Sequence, residues 1–81
     1  MNKEYDERLK SLGLRIAYYR KLSGMTQAEL AKVIGISRTH MSNIEAPRMP
    51  TQVAVETLLR IADALEVNPA RLFDFNSNGE I

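Results

Sequence analysis

Between Thr26 and Glu45 the chain reads TQAELAKVIGISRTHMSNIE, an order of helix signals that very few folds accommodate. Thr26 and Glu29 stand at the spacing of a capping box, in which the hydroxyl and the carboxylate each accept from the other residue's amide. They fix a helix start. Ala28, Leu30, Ala31 and Ile34 supply an inward face at helical spacing, and Ala31 is small enough for a second helix to approach closely. Gly35 ends this helix, because a C-terminal cap takes positive φ and glycine adopts it without strain. Ile36 adds an apolar anchor, and Ser37 is a natural N-cap for another helix. With so short a link the two helices must meet at a steep angle, the sequence form of a helix-turn-helix over about residues 26–45.

On a helical wheel with Arg38 at zero, Ser42, Thr39 and Asn43 fall at about 40°, 100° and 140°, whereas Ile44 and Met41 fall at about 240° and 300°. One side is polar and the other is core. Arginine pairs with guanine O6 and N7, and asparagine with adenine N6 and N7, so this face suits the major groove of DNA. The hydroxyls of Thr39 and Ser42 read less sharply. A plain solvated helix face has the same composition; what favours the groove is its position directly after a capped helix and a glycine turn. Charge is polarised in the same sense. Between residues 8 and 48, Arg8, Lys10, Arg15, Arg20, Lys21, Lys32, Arg38 and Arg48 stand against Glu29 and Glu45, although the whole chain carries a formal charge of only +1. A basic half bearing the motif is the expected footprint for phosphate, with the acidic remainder facing away. Arg8, Lys10 and Arg15 read equally well as solubilising surface groups.

The segment LGLRIAYYRKLSGMTQAELAKVIGISRTHMSNIE, with the later TLLRIADALEVNPARLF, closely resembles the lambda-repressor-like, Cro/repressor-type helix-turn-helix family from about Leu9 to Phe73. With Gln27 as the motif's first residue, Ala31 takes its small fifth position and Gly35 its ninth-position turn. Leu30, Ile34, Ile36, Met41 and Ile44 take its usual apolar positions. The resemblance implies that Arg38, Thr39, Ser42 and Asn43 face base edges and that Thr26 and Gln27 lie near DNA phosphates. Ser37, His40 and Arg48 complete the expected phosphate set, though His40 reads equally as a plain surface side chain. The resemblance further implies a two-fold dimer on paired half-sites about one helical turn apart. The chain departs from the family pattern after Glu45, where Ala46-Pro47-Arg48-Met49-Pro50 replaces the customary glycine. Its prolines imply a stiff loop outside any helix.

Around the motif, Leu9, Leu12, Ile16 and Tyr19 predict a first helix over about residues 7–22, closed by Ser23-Gly24. Val55, Leu58, Leu59, Ala62 and Leu65 predict a fourth over about residues 53–65. Asn68-Pro69 opens a short fifth helix ending near Phe73, as an N-cap followed by proline. The expectation is an all-α, compact five-helix domain spanning 1–81, with an ordered core at about 7–75. Leu72, Phe73 and Phe75, beside Ile61, are more apolar groups than so small a core needs; the family resemblance suggests a dimer through the fifth helix, whose interface these four would form, while the plainer reading has Leu72 and Phe73 close the monomer core.

The chain's 81 residues, 44% hydrophobic and 26% charged, suit one globular domain. The absence of cysteine excludes disulfides and thiolate metal sites and suits the cytoplasm. No apolar run is long enough to span a bilayer, and MNKEYDERLK has no signal-peptide core. His40 is the only histidine and has no ligand set around it, so no metal is expected. No nucleophile–base pair, glycine-rich phosphate loop or cofactor motif is present, so no cofactor and no enzymatic activity are expected. Adjacent Tyr18 and Tyr19 read as one surface and one core residue. These readings lead to a cytoplasmic, homodimeric regulator of transcription on double-stranded operator DNA, such as a phage-type repressor or a restriction–modification controller. The alternative is an antitoxin or other protein-binding module on the same fold.

Overall fold

In the computed structural model, residues 3–46 and 52–74 are described, and their elements are all helical. The first, α1 (Lys3–Leu22), starts four residues before the expected position. Glu4 and Asp6 in its first turn complement the helix dipole, and Glu4 pairs with Arg8 one turn on at 2.6 Å. These polar contacts extend the helix beyond its apolar stripe. Gly24 closes it at φ +77°, so that the Met25 amide reaches back to the Arg20 carbonyl at 3.2 Å.

The motif helices are α2 (Gln27–Ile34) and α3 (Arg38–Glu45), and α4 (Val55–Leu65) follows the loop. The expected fifth helix is a 3-10 turn, Pro69–Phe73. Asn68 caps it by accepting from the Ala70 amide at 2.9 Å, and its own carbonyl accepts from the Arg71 amide at 2.8 Å in the i to i+3 pattern. Five residues beginning with a donor-less proline close few α-type bonds, so the tighter winding prevails.

The core is built by one fully buried large side chain from each element: Ile16, Leu30, Met41, Ile61 and Leu72. Ile61 and Leu72 are therefore corrected from interface to core, because the monomer leaves them no surface to offer. Phe73 keeps 48% of its surface, and Phe75 lies outside the described residues. The α4 stripe is also rotated from expectation. Leu58, Ile61, Ala62 and Leu65 point inward, while Val55 and Leu59 are exposed. The helix begins two residues later than expected, with Ala54 as an N-cap that makes no side-chain cap bond. In α2, Ala28 is exposed while Leu30, Ala31 and Ile34 are buried. Tyr18 is exposed and Tyr19 half-buried, their rings edge-to-face at 5.0 Å.

Glu66 ends α4 at φ +58°, the left-handed region that glycine occupies at the ends of α1 and α2. A side chain there costs about 1–2 kcal/mol, and its carboxylate faces the negative end of the helix dipole. Part of that cost returns as the greater unfolded entropy of glycine. Glu66→Gly should accordingly raise stability by about 1 kcal/mol, read as a rise of several degrees in the thermal midpoint. A lower midpoint would show that the Glu66 side chain contributes more than its backbone costs.

Candidate nucleic-acid interface

The start of α2 is held by the expected capping box. The Thr26 hydroxyl accepts from the Glu29 amide at 3.0 Å, and Glu29 Oε1 accepts from the Thr26 amide at 2.8 Å. Gly35 turns the chain at φ +81°, its amide reaching the Ala31 carbonyl at 2.9 Å, and Ile36 tucks against the core. Ser37 is extended, and its hydroxyl accepts from the His40 amide at 2.9 Å, which starts α3. Both cap hydroxyls spend a lone pair on the backbone and keep a proton to donate outward.

The α3 helix then divides as its sequence periodicity requires. Met41, Ile44 and Glu45 are buried; Arg38, Thr39, His40 and Asn43 are exposed, and Ser42 is half-buried between them. The first turn of α3 holds no acidic residue, so the positive end of its dipole is unopposed beside Arg38. The structure thus brings Arg38, Thr39, Ser42 and Asn43 onto one outward face, with Ser37 and His40 at its leading end. Thr26 is exposed at the start of the neighbouring helix. Arg48 and the Pro47–Pro50 loop lie outside the described residues.

Gln27 plays an additional part. It is half-buried, and its side-chain amide donates to Glu45 Oε1 at 2.9 Å. Glu45 also receives a two-pronged contact from Arg20, Nε to Oε2 at 2.7 Å and Nη2 to Oε1 at 2.9 Å. The remaining guanidinium nitrogen donates to the Met25 carbonyl at 2.7 Å. These side chains tie the end of α1, the first residue of the motif and the last residue of α3 into one buried cluster. The sequence carried a signal for it: an acid in the last turn of a helix opposes the dipole and needs a compensating cation.

A second unanticipated contact involves Gly13, in the middle of α1. A Cβ there would lie inside the van der Waals envelope of the Ile44 carbonyl oxygen, so α3 packs on bare backbone. Mid-helix glycine costs roughly 1 kcal/mol relative to alanine, and this close approach is what that cost secures. Arg15, read equally as surface or footprint, is buried and donates from Nε to the Arg71 carbonyl at 2.6 Å. Among the described basic residues of this half, Arg15 and Arg20 are therefore internal, and the exposed set includes Lys21, Lys32 and Arg38.

A family model described as helix-turn-helix matches residues 16–72. The HTH-type transcriptional regulator SinR of Bacillus subtilis (strain 168) is 32% identical over 63 residues, 78% of this chain and 56% of SinR. The chain therefore spans little more than half the length of that relative. Among solved structures, the restriction–modification controller protein C.AhdI from Aeromonas hydrophila is similar with a TM-score of 0.73 at 29% identity, covering 80% of this chain and 96% of its own. SinR solved in complex with DNA has a TM-score of 0.71 at 32% identity, covering 78% of this chain and 98% of that one. The capped α2, the glycine turn, the outward polar face of α3 and the family match together establish that the chain belongs to the helix-turn-helix family, as a lambda-repressor-like, Cro/repressor-type member.

Proposed function

We propose that this protein is a cytoplasmic, sequence-specific regulator of transcription that binds double-stranded DNA as a homodimer on an inverted-repeat operator. The observation that carries the reading is the single outward face of Arg38, Thr39, Ser42 and Asn43 on a short helix with an unopposed positive end. Such a face fits the major groove, where bidentate arginine and asparagine contacts discriminate base pairs. Thr26, Gln27, Ser37, His40 and Arg48 serve the flanking phosphates, and Gln27 does so while its amide is braced on Glu45. The similarity to C.AhdI and to DNA-bound SinR supports the same direction. Dimerisation draws on Phe73, which keeps 48% of its surface at the end of the 3-10 turn, together with Phe75. A two-fold pair presents two reading faces and matches a palindromic site.

Selection from a randomised duplex pool with the purified protein should enrich an inverted repeat. Retention without enrichment, lost as salt is raised, would instead favour a module that binds a protein partner and touches DNA non-specifically. On the enriched site, Arg38→Ala should lose about 1–3 kcal/mol of affinity and relax discrimination at one base pair, as measured by titrating single-position variants of the duplex. Equal weakening on random DNA would reduce Arg38 to a phosphate contact.

A further inference from the structure

The last four carbonyls of a helix lack intrahelical donors, and α2 must satisfy them at the point where the chain swings into α3. The Ala31 carbonyl accepts from the Gly35 and Ile36 amides, and the Lys32 carbonyl from the Gly35 amide at 3.3 Å. The Ile34 carbonyl is met from another element altogether. Arg60 of α4 donates to it from Nη1 at 3.3 Å, while its Nη2 is held by Glu56 at 2.5 Å, one turn earlier on the same helix. Asp63 and Ala64, the other α4 residues along this groove, have no donor to offer.

This arrangement pins one peptide plane from both sides. The plane joining Ile34 to Gly35 has its N–H held by Ala31 and Lys32 and its oxygen held by Arg60. Gly35, at φ +81°, has wide conformational freedom, and only Ile36 separates it from the N-cap of α3. A small rotation at that peptide would swing the leading end of α3, where Arg38 and Thr39 sit. We propose that Arg60, braced by Glu56, is a positioning residue for DNA recognition: it sets the departure angle of α3 and contacts no DNA itself. The inference rests on the operator-binding reading for its functional consequence, while the clamp itself is a property of the free protein.

The test compares the unmodified protein with Arg60→Ala and Arg60→Lys on the duplex enriched from the random pool and on a scrambled duplex, across a salt series. Hydrogen exchange at the Gly35 and Ile36 amides is followed alongside, with no DNA present. Arg60→Ala should weaken binding to the enriched duplex by about three- to ten-fold, the worth of one lost hydrogen bond. It should leave the scrambled duplex and the salt slope unchanged and quicken exchange at both amides. Arg60→Lys keeps a charged donor at the helix end and should restore most of the affinity. Equal weakening on both duplexes, with a salt slope shallower by about one, would make Arg60 a phosphate contact and overturn the proposal. Unchanged exchange would overturn it too, as would a lower melting temperature with both affinities intact. If the unmodified protein enriches no sequence, the operator reading fails, and the exchange data still decide whether Arg60 holds the turn.

Discussion

Glu45→Ala is expected to destabilise the domain by about 3–5 kcal/mol, the cost of leaving a buried partner charge without its counter-ion. Arg20 would lose both carboxylate contacts while its side chain stays 9% exposed, and Gln27 would lose its acceptor. A domain of this size has of order 5–10 kcal/mol in total, so the variant should be partly unfolded near body temperature. Urea titration followed by circular dichroism would measure it. The double replacement Arg20→Met with Glu45→Leu removes the unpaired charge and should recover much of the loss, since well-packed apolar groups often replace a buried pair without penalty. A Glu45→Ala protein as stable as the parent would mean that water reaches Arg20 and that the cluster contributes little. Full recovery of stability in the double variant without recovery of DNA binding would separate holding the fold from aiming α3.

Gly13→Ala should cost about 2 kcal/mol, opposite in sign to the usual gain from replacing a mid-helix glycine. Overpacking costs about 1–3 kcal/mol, and the upper end applies because the neighbour is a backbone carbonyl that cannot rotate away. Improved helix propensity returns about 1 kcal/mol of it. The two helices can relieve the clash only by separating, which would strain Arg20 and Glu45 as well. Chemical denaturation gives the magnitude. A stabilised Gly13→Ala variant would show that α1 and α3 are further apart than the Gly13–Ile44 contact requires.

Local signals made most of this molecule legible in advance. Thr26 with Glu29, Gly35, and Ser37 act within a few residues of themselves, so their spacing alone specifies the ends of α2 and α3. The polar and apolar sides of α3 follow from its periodicity for the same reason. The early start of α1 and the 3-10 winding of Pro69–Phe73 have local causes, whereas the changed readings of burial depend on partners distant in the chain. Arg15 looks like any surface cation until the carbonyl of Arg71 comes beside it, and Gly13 looks like a weakness until α3 packs on it. Ile61 and Leu72 look surplus because the volume of a core is shared among all its elements and cannot be counted along one segment. Leu59 and Leu58 are indistinguishable as letters, and only the rotation of α4 against the other helices decides which turns inward.

The way the core is assembled sets how the molecule can fail. Each of the five elements contributes one completely enclosed side chain to a shared cluster, so no subset of them can seal it. Withdrawing α3 removes Met41 and Ile44 from the shared cluster and uncovers the faces of α1 and α2 against which α3 packs. Unfolding should therefore be all-or-none, without a populated state in which the other elements persist around a melted α3. Every folded molecule then carries the outward polar face of α3 fully formed, and the supply of that face is governed by the number of folded molecules.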